Sequence, residues 1–236
     1  MYAPARVKQV TESTAIIRAA GVGKSVEVGG RPLHILTGVG LSIQRGESIA
    51  IVGVSGSGKS TLLGLLAGLD LPSAGVIDLA GHRITDLDED RRAEVRARHV
   101  GFVFQSFQLL PNLTALENVQ LPLEILNRAD AGAVAAAALQ RVELSARAIH
   151  YPRQLSGGEQ QRAALARAFV TAPAILFADE PTGNLDNATG RRIADLLFEL
   201  NDENQTTLVL VTHNLDLAER CNRILTMDDG RLSEAA

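Results

Sequence analysis

Residues 48–67 read S-I-A-I-V-G-V-S-G-S-G-K-S-T-L-L-G-L-L-A. Ser48 to Val52 is a short apolar run with β-branched side chains, the pattern of a buried strand. Thr61 to Ala67 is an apolar run that predicts a helix. Between them, Gly53 to Ser60 fits G-x-x-x-x-G-K-[ST] in the strand–loop–helix context that this pattern requires. The residue types explain the chemistry. Gly53, Gly56 and Gly58 let backbone N–H groups curl around phosphate oxygens with no Cβ in the way, and Ser55, Ser57 and Thr61 belong to the same cradle. The helix start adds a dipole favourable to anions. Lys59 reaches β- and γ-phosphates, and the Ser60 hydroxyl can ligate Mg²⁺. Chance alone produces this spacing in about one average chain in a hundred, before the context is counted.

Three more apolar runs repeat the strand pattern: Val100 to Phe104, Ala174 to Ala178 and Thr207 to Val211. Continuous apolar strands separated by helical stretches predict a parallel sheet covered on both faces. The first 50 residues and Val76 to Ile84 read as antiparallel hairpin material. A last strand, Ile224 to Met227, runs into the tight-turn pair Asp229-Gly230. From about Pro111 to Val170 there is no strand pattern, and alanine and leucine are frequent. Thr114 with Glu117 fits a helix-start capping box. The predicted organisation is a tail over 1–13 and one α/β domain over 14–236, with a helical subdomain inserted at roughly 111–170.

Ile175 to Glu180 (I-L-F-A-D-E) is a strand ending in two acids. In a parallel sheet the C-terminal strand ends face the ligand crevice. Asp179 is then placed to hold Mg²⁺ directly or through water, and Glu180 is the candidate base for an attacking water. Leu155 to Arg162 (L-S-G-G-E-Q-Q-R) predicts a second anion-binding helix start. Ser156 is its N-cap, Gly157 and Gly158 leave N–H groups open, and the helix runs from about Gly158 to Val170.

Composition narrows the class. The 236 residues carry 23 Lys+Arg and 27 Asp+Glu, a net charge of −4, which argues against a protein that coats nucleic acid. With 46% apolar and 21% charged residues the chain is ordinary globular material. The single cysteine, Cys221, excludes an intramolecular disulfide and a cysteine-based metal cluster. It reads as a small residue on a helix or at its end, with a reactive thiol as the alternative. Met1 to Ser13 lacks the apolar stretch of a secretory signal. No run reaches the roughly 18 apolar residues of a membrane span, so any membrane location is expected to come through a partner.

Taken in order, these motifs resemble the ATP-binding subunit of an ABC transporter, over essentially all of the chain from Thr14. Gly53 to Ser60 is similar to the Walker A motif, Leu155 to Arg162 to the family signature, and Ile175 to Glu180 to Walker B with its glutamate. Gln105 is similar to the Q-loop, Pro181 to Asp186 (P-T-G-N-L-D) to the D-loop, and His213 in V-T-H-N to the H-loop. The runs Phe102 to Val119 and Ala178 to Asp186 resemble the lipoprotein-release and macrolide-efflux group. The resemblance implies a P-loop NTPase core with a mainly parallel sheet, an N-terminal antiparallel β part and the inserted helical subdomain. It also implies ATP and Mg²⁺, and a head-to-tail homodimer in which Ser156, Gly157 and Gly158 act in trans. Asp186 joins the nucleotide site, Gln105 joins Mg²⁺ and water to the helical subdomain, and His213 contacts the γ-phosphate and aligns Glu180 with its water. The partner it implies is an integral-membrane permease, with the chain on the cytoplasmic face of the inner membrane and no nucleic acid.

Two departures stand beside this. The family's adenine-stacking aromatic is missing: counting through G-V-G-K-S-V, its place falls on Val26, unless the count is displaced and Val26 lies away from the nucleotide. Asn214 follows His213 where Asp is common, and caps a helix equally well. His34, His82, His99 and His150 lack metal-ligand spacing and read as structural or surface residues. Asp86 to Arg98 predicts a solvated helix with i,i+4 pairs such as Glu94–Arg98. Arg128, Arg141 and Arg147 are either surface or permease-facing. Two rival functions differ in the partner: an ABC-type ATPase of DNA repair, chromosome structure or translation, and a force-transmitting or regulatory ATPase that moves no substrate.

Overall fold

The computed structural model describes residues 15–234, so the expected tail lies outside the described residues. The chain opens with β1 (Ala15–Val28), β2 (Arg31–Gln44), β3 (Ser48–Val52) and α1 (Lys59–Leu66). Then come β4 (Ala74–Leu79), β5 (His82–Arg83), α2 (Glu89–His99) and β6 (Val100–Val103). The helices α3 (Ala115–Ile125), α4 (Ala131–Arg141) and α5 (Gly157–Phe169) follow one another without a strand. β7 (Ile175–Asp179), α6 (Asn187–Asn204), β8 (Thr207–Val211), α7 (Leu215–Ala218), β9 (Arg223–Asp228) and β10 (Arg231–Glu234) complete it.

Two sheets result. One is antiparallel, in the order β2-β1-β4-β5. The other, β10-β9-β3-β8-β7-β6, is parallel except for β10, which returns along β9 through the Asp229-Gly230 turn. The apolar runs are continuous because both faces of this sheet are covered. Side chains of β7 and β8 alternate between two cores. Ile175, Phe177, Val209 and Val211 join α1 and the antiparallel sheet. Leu176, Ala178, Leu208 and Leu210 join α3 to α6. The fold is the α/β P-loop NTPase arrangement with an antiparallel sheet on one side and an inserted helical subdomain on the other.

Local signals act as read at the helix ends. The Thr114–Glu117 capping box closes the start of α3. Asn214 accepts from the Leu217 amide at α7. In α2, however, no ion pair joins Glu94 to Arg98; Glu89 takes both Arg92 and Arg96 at 2.6 Å. Arg96 also donates to the Gly68 carbonyl at 2.5 Å and Val95 is buried, so one face of α2 is turned inward onto the end of α1 rather than solvated. Cys221 is half-buried, and burial pushes its thiol up to about 11, which leaves it protonated and unreactive at neutral pH. Among the described residues no helix is long and apolar enough to cross a membrane.

Candidate functional site

The loop after β3 is held by packing on every side. Gly53 has φ 149°, and a Cβ there would stand 2.2 Å from the Met227 carbonyl oxygen of β9. Gly58, the N-cap of α1, has φ 103°, and its Cβ would stand 2.8 Å from Leu36 Cδ2. Both glycines are therefore required by the fold as well as by phosphate clearance. The Gly230 amide donates to the Ser57 carbonyl at 3.2 Å and the Thr37 amide to the Gly230 carbonyl at 2.9 Å, so the β9–β10 turn braces the loop from below. Lys59 is buried, and its Nζ donates to the Gly53 and Val54 carbonyls, each at 2.8 Å. Among the described residues no side chain bonds the start of α1, and its first turn holds no acid. Those amides remain for an anion.

A cavity of about 400 Å³ opens over this loop, with Gln105, Glu180 and His213 on its far side and Ile35 at its edge. Ile35 carried no sequence signal. The β1–β2 register passes from Lys24–Leu36 to Ser25–His34, so Ile35 is an extra, unpaired residue in β2, a bulge that re-aims its side chain. Val26 pairs with Leu33 farther along the same hairpin and is exposed. It does not line this cavity.

The strand ends bring the acids in. Ser60 Oγ donates to Asp179 Oδ1 at 3.2 Å, and burial raises the Asp179 carboxyl above the usual range against that hydrogen bond. Glu180 sits in the left-handed region with φ 47°, its amide bonded to the Val211 carbonyl at 2.9 Å. Its Oε2 lies 2.9 Å from His213 Nδ1 and 3.5 Å from the Thr212 hydroxyl, which donates to it. Thr212 is fully buried and was not singled out in the sequence, where it looks like one more strand residue. The Asn184 amide donates to the Gln105 carbonyl at 2.9 Å and accepts from Gln105 Nε2 at 3.5 Å, tying the two loops together.

Ser156, Gly157, Gly158 and Asp186 line a different cavity, of about 790 Å³, between α5 and α6. Ser156 is the N-cap as expected, and the cap extends to a residue that was not singled out in the sequence. Ser156 and Glu159 form a complete capping box: the Ser156 amide and hydroxyl each donate to Glu159 Oε2 at 2.8 Å, and the Glu159 amide donates back at 3.3 Å. These bonds, with help from Arg147, hold the Glu159 carboxyl below its usual range. Only the Gly157 and Gly158 amides stay open beside it. Asp186 caps α6, accepting from the Ala188 and Thr189 amides at 3.0 Å, and Thr189 holds its carboxyl below the usual range. Arg128, Arg141 and Arg147 all bind acids of the same chain: Asp130, the Glu199–Glu203 pair, and Glu159.

The sequence profile described as ABC transporter matches residues 36–183. The chain belongs to the ABC transporter family. It is 56% identical over 223 residues to YbbA of Escherichia coli K12, an uncharacterized ABC transporter ATP-binding protein, across 94% of this chain and 98% of that one. It is 48% identical to the lipoprotein-releasing system ATP-binding protein LolD of Pseudomonas syringae pv. tomato, with the same coverage. Among solved structures, the dimeric ATP-binding cassette MJ0796, bound to ADP and Pi in a post-hydrolysis state, superposes with a TM-score of 0.86 at 40% identity. The match covers 92% of this chain and 98% of that one. A second dimeric MJ0796 structure matches at 41% identity with the same TM-score. These relatives bear out the likeness to the lipoprotein-release group. The chain is an ABC-type ATPase, the ATP-binding subunit of such a transporter.

Proposed function

We propose that two copies of the chain close head to tail around ATP and transmit that closure to a membrane permease on the cytoplasmic face of the inner membrane. One observation carries the dimer: Ser156, Gly157 and Gly158 line a different cavity from the phosphate loop, Glu180 and His213. A γ-phosphate needs donors on all sides, and a single chain leaves its second helix start unused. The dimeric MJ0796 structures support the same reading.

Within each site, Lys59 exchanges the Gly53 and Val54 carbonyls for the β- and γ-phosphates. Glu180 takes a proton from the attacking water. His213 Nδ1 and Thr212 hold the Glu180 carboxylate, which leaves His213 Nε2 for the γ-phosphate. Gln105, anchored by Asn184, orients the water. Ser60 and Asp179 present hard oxygen donors already within hydrogen-bond distance of each other, a fit for Mg²⁺, with Gln105 as a further ligand. Bound there, Mg²⁺ would neutralise charge on the β- and γ-phosphates. The likeness to LolD, the ATP-binding protein of a lipoprotein-releasing system, supports a permease that works in lipoprotein release or a related export or force-transmitting task.

Complementation tests the dimer. Ser156→Arg and Lys59→Ala should each abolish ATPase activity, and a verified heterodimer of the two should regain it through one intact composite site. Activity of Ser156→Arg alone at the wild-type level would sink the trans assignment. Purification from membranes should recover an integral-membrane protein bound to the chain; an active complex without one rejects the permease.

A further inference from the structure

Arg167 of α5 does not line the signature cavity; it is charged, half-buried and without a carboxylate partner among the described residues. Burial lowers its pKa. Its two guanidinium nitrogens donate to consecutive backbone carbonyls, Nη2 to Phe107 at 3.0 Å and Nη1 to Gln108 at 2.6 Å. Those two residues are the most unusual stretch of backbone near the site. Phe107 has φ 61° and Gln108 φ 47°, successive non-glycine residues in the left-handed region. The turn is tight: the Gln108 amide donates to the Ser106 carbonyl at 2.6 Å and the Phe107 amide to the Phe104 carbonyl at 3.2 Å. It begins at Gln105. At its other end the Phe107 ring reaches the signature: a Cβ on Gly157 would stand 3.7 Å from Phe107 Cζ and 3.3 Å from Leu185 Cδ2.

We propose that Arg167 is a positioning residue for ATP hydrolysis: its planar fork locks the turn after Gln105 and, through Phe107, sets that turn against the start of the signature helix. A guanidinium suits the task because it offers donors in one plane to two adjacent carbonyls, and an ammonium does not. Without the fork, the two left-handed residues relax toward ordinary backbone and Gln105 and Gly157 move independently. Arg167 bonds Phe107 and Gln108 and does not line the cavity over the phosphate loop, so nucleotide binding and turnover separate. The inference rests on the proposed roles of Gln105 and Ser156.

The test uses the full chain, a fluorescent ATP analogue for equilibrium binding, and steady-state ATPase kinetics. Arg167→Met should bind the analogue within about twofold of wild type while kcat falls about tenfold or more. Arg167→Lys should fall between the two, and it carries the same reading if the methionine variant does not fold. Adding Gln108→Gly to Arg167→Met should recover at least about threefold in kcat, since glycine takes the left-handed conformation without a steric penalty. A folded Arg167→Met or Arg167→Lys with wild-type kcat overturns the proposal. So does parallel loss of binding and turnover that Gln108→Gly does not rescue, the mark of a merely structural residue. Gln105→Ala and Ser156→Arg run alongside: if they too leave kcat unchanged, it is the functional reading that has failed.

Discussion

The chain contains two helix starts rich in glycine and serine, and they are built in opposite ways. At α1 the N-cap is Gly58, no side chain among the described residues bonds the free amides, and no acid lies in the first turn. At α5 the N-cap is Ser156, its box with Glu159 is complete, and the glutamate sits among the amides. Unsatisfied amides at a helix start attract an anion, and a carboxylate at the same place satisfies the dipole in advance. The first start is therefore the one we propose for phosphate in a single chain. The second is stable without ligand and offers only the Gly157 and Gly158 amides. In the proposed dimer this difference would order events, with nucleotide loading at α1 and engagement of α5 on closure.

The strongest challenge to this comparison is Lys59→Ala, which removes the only side-chain cation lining the first start among the described residues. Turnover should fall by about 10²–10³-fold or more, in line with loss of a preorganised charge donor, with nucleotide binding strongly weakened. Unchanged affinity for a fluorescent ATP analogue would mean that α1 is not the loading site.

Gly58→Ser would give α1 a start of the α5 kind. The new Cβ meets Leu36 at 2.8 Å in a backbone conformation that serine resists. ATP affinity by calorimetry should drop by about 30-fold, equivalent to about 2 kcal/mol. If the variant folds and binds as wild type, the missing cap does not explain the first site.

Val26→Tyr tests the base side, beyond the phosphates. If Val26 faces the adenine, ring stacking worth about 1–3 kcal/mol in nucleic-acid sites, half realised, should tighten ATP binding up to about tenfold. Competition among ATP, GTP and CTP should become more selective. No change in a folded variant places Val26 away from the nucleotide.

Glu159→Gln has the smallest expected effect and is the sharpest probe of the second start. A charge at a helix start is worth about 0.3–1 kcal/mol, so self-association with ATP, measured by ultracentrifugation, should tighten by about two- to fivefold. Stability should move the other way. The wild-type carboxyl is depressed in the folded chain, so its contribution is present at neutral pH and lost as pH falls through that depressed value. The glutamine variant should lack that step in thermal melts against pH.

Much of this was readable from residue order. The strands announced themselves because both their faces are buried, and the Thr114–Glu117 capping box because its partners are three residues apart. Ion pairs on α2 were less readable: Glu94 and Arg98 have the correct spacing, but Arg96 is drawn to the Gly68 carbonyl and shares Glu89 with Arg92. Ile35 was invisible, since a bulge is a property of two strands and no pattern within β2 marks it. Thr212 and Arg167 were invisible for a similar reason. Each acts on a residue 32 or about 60 positions away, Thr212 on Glu180 and Arg167 on Phe107 and Gln108.

By itself the sequence determined the chemistry of each motif, because a phosphate loop, a capped helix and an acid-ended strand are made by neighbours along the chain. Only the tertiary structure decided which motifs share a cavity. It sets Gln105, Glu180 and His213 over the loop of Gly53 to Thr61, it sends Ser156 to another cavity, and it leaves Asp186 between the two, lining one cavity with Ser156 and a further one with His213. It also decided that Gly53 must be glycine for the sake of Met227, 174 residues later. Such choices depend on how two sheets and an inserted set of helices pack around shared cores, and packing is a property of residues that meet only after the chain has folded.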